Sequence, residues 1–170
     1  MSALVVHAHP CAGSYTAALR DAVRRGLEAV GDTVDLIDLW ADGFDPLEPE
    51  DVLAGERHIE RLRAASTLVL VYPTWWSGQP AILTGWLSAL PIDALRSIGR
   101  VVAVTAHGSS KWLNVLEGET GRRIVKHTLL RRCAPGARAE WHAFYGIDYA
   151  DEPRRAAFVA KVERELSRRR

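Results

Sequence analysis

Residues 67–71, TLVLV, form an almost wholly apolar, β-branched run, and the loop that follows them carries two adjacent tryptophans. A strand of that composition needs cover on both faces, as parallel strands flanked by helices have. Behind the loop, Pro80 suits a first helical turn, and Ile82, Leu83, Trp86, Leu87 and Leu90 fall at helical spacing. The unit is strand, loop, helix, with Trp75 and Trp76 in the loop. Open α/β sheets bind ligands at the carboxyl ends of their central strands. Two indoles placed there, outside the core, point to a large flat apolar ligand.

The rest of the chain repeats the alternation. Leu4, Val5 and Val6 make a short strand ending at His7. Ser14 opens a helix with Tyr15, Ala18, Leu19, Ala22, Val23, Gly26, Leu27 and Val30 on one face, closed by Gly31. Residues 33–40 read as a second strand, 41–51 as an acidic, turn-rich loop and 52–62 as a modest helix. A fourth buried strand covers 100–106, a turn of helix 113–117 and a longer helix 122–132. In 137–146 the apolar residues Ala139, Trp141, Ala143 and Tyr145 alternate with mostly polar neighbours, as in an edge strand. Pro153 begins a last helix with Phe158, Val162 and Leu166 inward. Five strands alternating with helices, joined by right-handed crossovers, give a doubly wound parallel α/β sheet in one domain over 1–170. Strands one, three and four are the most apolar and the fifth alternates, so the order 2-1-3-4-5, the flavodoxin-like one, is expected.

That order brings three loops to one rim: 7–16, 72–80 and 105–112. The first delivers Ser14, Tyr15 and Thr16 to a helix start, where free amides and the helix dipole suit a phosphate. Ser14 also reads simply as an N-cap. Along the second loop, Trp75 and Trp76 can stack on a flavin ring while backbone groups near Thr74 bond its pyrimidine edge, unless the indoles pack into the core or a dimer interface. The third offers Thr105, His107, Gly108 and Ser109 to the ring's polar edge or the ribityl chain, or is a polar turn. Neither GxGxxG nor GxxxxGK[ST] occurs, so a dinucleotide fingerprint and a Walker loop are both absent.

Composition bounds the alternatives. A net charge of +1 gives no pull toward nucleic acid, and no apolar run reaches the roughly 20 residues of a membrane span. The first residues, MSALVVHAHP, read as a strand and not as a signal peptide, and Cys11 and Cys133 have no CxxC spacing. A reducing cytoplasm is the expected compartment. His7 and His9 form an HxH pair that raises a metal hydrolase, although no Asp or Glu lies in these loops to complete a site. Flavodoxin-type electron carriers are expected to be acidic, and this chain is near neutral. A flavin-binding regulator without turnover is a further alternative.

The segments AHPCAGSYTAAL, DLWADGFDP, LVLVYPTWWSGQPAILTGWL and VTAHGS resemble the flavodoxin-like NAD(P)H:quinone oxidoreductases, which include DT-diaphorase, the modulator of drug activity and the Kef ancillary subunits. The resemblance implies a homodimeric flavoprotein that takes hydride from NADH or NADPH and passes it to a quinone-like acceptor. It places His9, Ser14, Tyr15 and Thr16 around the flavin phosphate, Pro73, Thr74, Trp75 and Trp76 along the ring, and Thr105, His107 and Gly108 at its polar edge. FMN is favoured over FAD because the chain is short. Some members carry a glycine pair where this chain has Ala106 and His107, and a tyrosine and histidine that assist hydride transfer where it has Trp112 and Thr120. His107 is the candidate to stabilise a reduced flavin in their place.

Overall fold

In a computed structural model of the chain, residues 1–47 and 56–168 are described. The strands are β1 (Ser2–His7), β2 (Thr33–Asp38), β3 (Thr67–Thr74), β4 (Arg100–His107) and β5 (Arg138–Tyr145). Between and after them run α1 (Tyr15–Ala29), α2 (Glu56–Ala64), α3 (Ala81–Ala89), α4 (Lys111–Leu116), α5 (Thr120–Arg123) and α6 (Glu152–Leu166). All strand pairs are parallel and the order is β2-β1-β3-β4-β5, as expected.

Alternation along the central strands divides the core in two. Leu4, Val6, Leu68, Leu70, Val101 and Ala103 face α2, α3 and the turns that follow α5, against Leu62, Leu83, Trp86, Val125 and Leu129. Ala3, Val5, Val69, Val71, Val102 and Val104 face α1 and α6, against Leu19, Val23, Leu27, Val162 and Leu166. Both faces are covered, which is why these strands show no polar alternation. Trp86 is buried and donates its indole N–H to His58 Nδ1 at 3.3 Å, tying α3 to α2. Gly31 closes α1 with a positive φ of 80°, as its sequence position requires. Ala17, and not Ala18, joins the buried face of α1.

Several boundaries shift for physical reasons. The second strand stops at Asp38, because Leu39 turns inward and its carbonyl accepts from Phe44 N–H, burying both side chains. Of the helix expected over 52–62, residues 52–55 lie outside the described residues, and α2 runs on to Ala64. β3 continues three residues past Val71, through Pro73. β1 ends opposite Val71, so beyond that point β3 has only β4 as a neighbour, and a proline is tolerated on the open side. β4 likewise extends to His107. The helix expected over 122–132 is irregular, passing from α5 into π-helical turns (Ile124–Leu129) and a 3-10 turn (Leu130–Arg132). β5 is the sheet edge, pinned to β4 by paired contacts of Arg100 with the Glu140 carboxylate at 2.9 and 3.3 Å. His142, with Nε2 3.5 Å away, and then the Arg100 hydrogen bonds hold that carboxyl down at about 2. No helix among the described residues is long and apolar enough to cross a membrane.

Gly26 marks where α1 and α6 touch. An added Cβ there would lie 2.6 Å from the Glu163 carbonyl oxygen and 2.8 Å from Leu166 Cβ. In an open helix Gly→Ala gains about 1 kcal/mol, whereas overpacking a tight contact costs roughly 1–3 kcal/mol. Gly26→Ala is therefore expected to lower the urea midpoint at unchanged slope. A raised midpoint would mean that α6 moves away at little cost.

Candidate functional site

The strand ends are staggered. β1 and β2 stop at His7 and Asp38, while β3, β4 and β5 continue in register to Thr74, His107 and Tyr145. This step leaves a cavity of about 850 Å³ at the carboxyl edge, lined from the β1–α1, β3–α3 and β4–α4 loops and from the turn after β5. Of the residues expected at the site, His9, Tyr15, Thr16, Pro73, Thr74, Trp75, Trp76, His107 and Gly108 line it. Ser14 and Thr105 support the wall from behind.

On the α1 side, Ser14 is the N-cap, its Oγ accepting from Ala17 N–H at 3.2 Å. The amides of Tyr15 and Thr16 are the first two of the helix, beyond reach of its own carbonyls and at the positive end of its dipole. The Tyr15 hydroxyl is occupied elsewhere: it donates to the Arg155 carbonyl at 3.0 Å, and burial pushes its pKa up to about 12. Tyr15 therefore offers its ring and amide. Cys11 N–H donates to His9 Nδ1 at 3.0 Å, and burial lowers the pKa of His9. A lone pair is needed at Nδ1, so the proton of the neutral ring sits on Nε2.

The tryptophans sit on a two-residue hairpin turn. Trp75 and Gly78 exchange both backbone hydrogen bonds, at 3.2 and 3.0 Å, with Trp76 and Ser77 at φ 49° and 60°. Such a turn favours Asn-Gly, and bulky residues in the left-handed region are strained. Ser77 Oγ donates to the Glu117 carboxylate at the end of α4, clasping the turn. Trp75 is partly covered, its ring 6.0 Å from that of His9, whereas Trp76 is fully exposed at the rim.

Behind the third wall runs a chain of hydrogen bonds. The Thr74 and Thr105 hydroxyls are 2.8 Å apart, and Thr74 Oγ1 lies 3.4 Å from His107 Nε2. His107 is buried, stacks on Tyr145 at 4.5 Å and donates from Nδ1 to Asn114 Oδ1 at 2.6 Å. Asn114 is itself buried, and its amide donates to Ser109 Oγ at 2.7 Å and to the Ser110 carbonyl at 2.8 Å, which fixes its orientation. The His107 tautomer is thereby set, with Nε2 as acceptor. Burial lowers its pKa, so the ring is neutral at neutral pH. Gly108 lines the cavity, but the space a side chain would fill is taken by the Asp148 carboxylate.

Sequence reasoning missed Asn114, Glu117 and the turn Ile147–Tyr149, all of which line the cavity. The only signal was Gly146, a turn glycine directly after the edge strand. The HxH pair is not assembled as a metal site. His7 is fully buried with Nδ1 2.9 Å from Asp38, and no group of three potential ligands occurs among the described residues.

Two outcomes test this geometry. Asn114→Asp places a carboxylate on the Nδ1–H of His107 and favours the imidazolium, so the His107 titration followed by NMR is expected to move up; no movement would place Asn114 outside the network. Burial also lowers the pKa of His7 and His58. Groups depressed in the fold contribute fully above the unfolded value of 6.5 and lose that contribution as pH falls through the folded value. Stability from chemical denaturation is expected to be level above pH 7 and to decline on acidification to about 5.5; a constant stability over that span would contradict the burial argument.

A family model described as flavodoxin-like fold matches residues 1–124. An uncharacterized NAD(P)H oxidoreductase of Haemophilus influenzae is 30% identical to the chain, over 51% of this chain and 48% of its own. The chain spans about half the length, or less, of the curated relatives it matches. Among solved structures, the NAD(P)H:quinone oxidoreductase from Methanothermobacter marburgensis superposes with a TM-score of 0.81 at 22% identity, covering 98% of this chain and 94% of that one. The FMN-dependent NADH-azoreductase from Bacillus anthracis, solved in complex with FMN, superposes with a TM-score of 0.74 at 14% identity, covering 98% of each chain. At these identities the structural likeness is one of fold, and the family match covers most of the sequence. The chain belongs to the flavodoxin-like fold family.

Proposed function

We propose that the protein is an NAD(P)H-dependent flavin oxidoreductase that uses FMN, with FAD as the alternative, to reduce a quinone or a similar small acceptor. The carrying observation is one cavity with a helix N-terminus on one wall and an aromatic hairpin on another. The donors present fit a flavin monophosphate. The Tyr15 and Thr16 amides, the Thr16 hydroxyl and His9 Nε2–H would hold the phosphate. Trp75 and Pro73 would border the ring, and Thr74 would face its polar edge, with Thr105 holding the Thr74 hydroxyl. When bound, the flavin supplies hydride acceptance from a nicotinamide and delivery to the acceptor. The names of the relatives point the same way, in the NAD(P)H donor, the quinone acceptor and FMN.

His107 takes a different task in this reading from the one its ordinary titration range suggests. Neutral, with Nε2 as acceptor, it positions Thr74 and does not present a positive charge to the site. Trp76 belongs to the mouth. With Trp112, Leu116 and Tyr149 also exposed, the chain is proposed to act as a homodimer and as a single domain over 1–170.

The purified protein is expected to be yellow, or to become so with FMN. It should bleach anaerobically with a reduced nicotinamide and recover its colour on adding a benzoquinone. Trp75→Ala should weaken flavin binding by roughly 0.5–1.5 kcal/mol, the order of an aromatic contact. A folded protein that stays colourless with both FMN and FAD would overturn the proposal; a coloured protein that no reduced nicotinamide bleaches would be an electron carrier or a regulator.

A further inference from the structure

The charge of the cavity wall bears on which reduced nicotinamide enters it. Two carboxylates line the cavity, those of Glu117 and Asp148, and no lysine or arginine does among the described residues. The two lining histidines, His9 and His107, are held toward their neutral forms by burial. Arginines on the flanking segments are turned to other partners: Arg122 pairs with Glu119 at 2.7 Å, and Arg155 donates to the Ile147 carbonyl at 2.9 Å. Lys111, at the start of α4, is exposed and does not line the cavity.

NADPH differs from NADH by one phosphate on the 2′-oxygen of its adenosine ribose, carrying close to two negative charges near neutral pH. In Rossmann-type sites a nearby arginine accommodates that phosphate, and where NADH is bound a carboxylate accepts from the ribose hydroxyls; the same charge logic applies to any wall the adenosine ribose meets. Glu117 is placed for the second role. It stands at the C-terminal end of α4 and accepts from Ser77, the hairpin residue directly after Trp76 with its fully exposed indole. An indole face beside a carboxylate offers stacking to an adenine and acceptors to its ribose. We infer that the cavity takes NADH and discriminates against NADPH, with Glu117 as the specificity-determining carboxylate. The inference rests on the oxidoreductase reading above and goes on to name the donor.

The test uses the protein as purified, with its flavin. NAD⁺ and NADP⁺ are titrated separately while tryptophan fluorescence is followed, and kcat/KM is measured for NADH and NADPH. The wild type is expected to favour the non-phosphorylated form in both readouts by about tenfold or more, as when a doubly negative group meets carboxylates and no arginine. Glu117→Lys should bring the two forms to parity or reverse them, and Glu117→Gln should narrow the gap severalfold. Asp148→Asn should narrow it less. Equal affinities in the wild type, or a ratio that Glu117→Lys leaves unchanged in a variant with a wild-type melting curve, would overturn the inference. A flavin-loaded protein that prefers NADPH sinks the donor assignment alone. A protein that holds no flavin and binds neither dinucleotide sinks the oxidoreductase reading with it.

Discussion

The site depends on the stagger of the parallel strands. A parallel register fixes where each strand can end relative to its neighbours, and here β3 and β4 stay paired three residues beyond the point where β1 finishes. The low side of that step gives room for the β1–α1 loop and the first amides of α1. Its high side is a wall whose last rung pairs Thr74 with His107. The wall would be weak if its final rungs frayed, since an exposed strand end has little to hold it. Buried side chains prevent that: Thr105 grips Thr74, His107 stacks on Tyr145 of the next strand, and Asn114 reaches back from α4 to the imidazole. Each polar group in this cluster finds a partner, as burial demands.

Much of this was legible in the chain, for a definite reason. A strand covered on both faces must be apolar throughout, so TLVLV and RVVAV announce themselves, and the helix after Pro80 shows its period. The order of the strands followed from which were most apolar. The strand was expected to end with its apolar run at Val71, and only the stagger reveals that β3 runs on through Pro73 with one side open there. The site was read less completely. Ser14, Tyr15 and Thr16 were found by their place at a helix start, but no local pattern tells that the Tyr15 hydroxyl is spent on the Arg155 carbonyl, 140 residues away. Asn114 looks like any polar residue on a short helix, and its bond to His107 is a tertiary contact with no local signal. Asp148 reaches Gly108 by the closure of β5 onto β4, a tertiary event with no trace in its own neighbours.

The hairpin at Trp76 and Ser77 shows how strain and placement are linked. Left-handed backbone at a non-glycine residue costs roughly 1–2 kcal/mol, and two such residues stand in succession. A glycine would remove the strain at either position, but it would also remove the Ser77–Glu117 contact or the exposed indole of Trp76. The two exchanged backbone bonds and the Ser77–Glu117 contact offset part of the cost. Strain held in place by surrounding contacts is characteristic of ligand-binding segments, and here it sits between the two loops that frame the mouth.

The electrostatics then sort the two ends of the cavity. At the α1 end no arginine or lysine lines the wall among the described residues, so an anion there would be held by amide hydrogens, a hydroxyl, an imidazole N–H and the helix dipole. These are neutral donors at fixed positions. They reward an anion of the right size at the helix tip and do little for negative charge elsewhere, because the dipole's influence fades within the first turn. At the mouth the carboxylates act in the opposite sense. An additional anionic group carried toward the mouth would meet Glu117 or Asp148. The arrangement therefore favours negative charge at the α1 end of the cavity and disfavours it beside the hairpin.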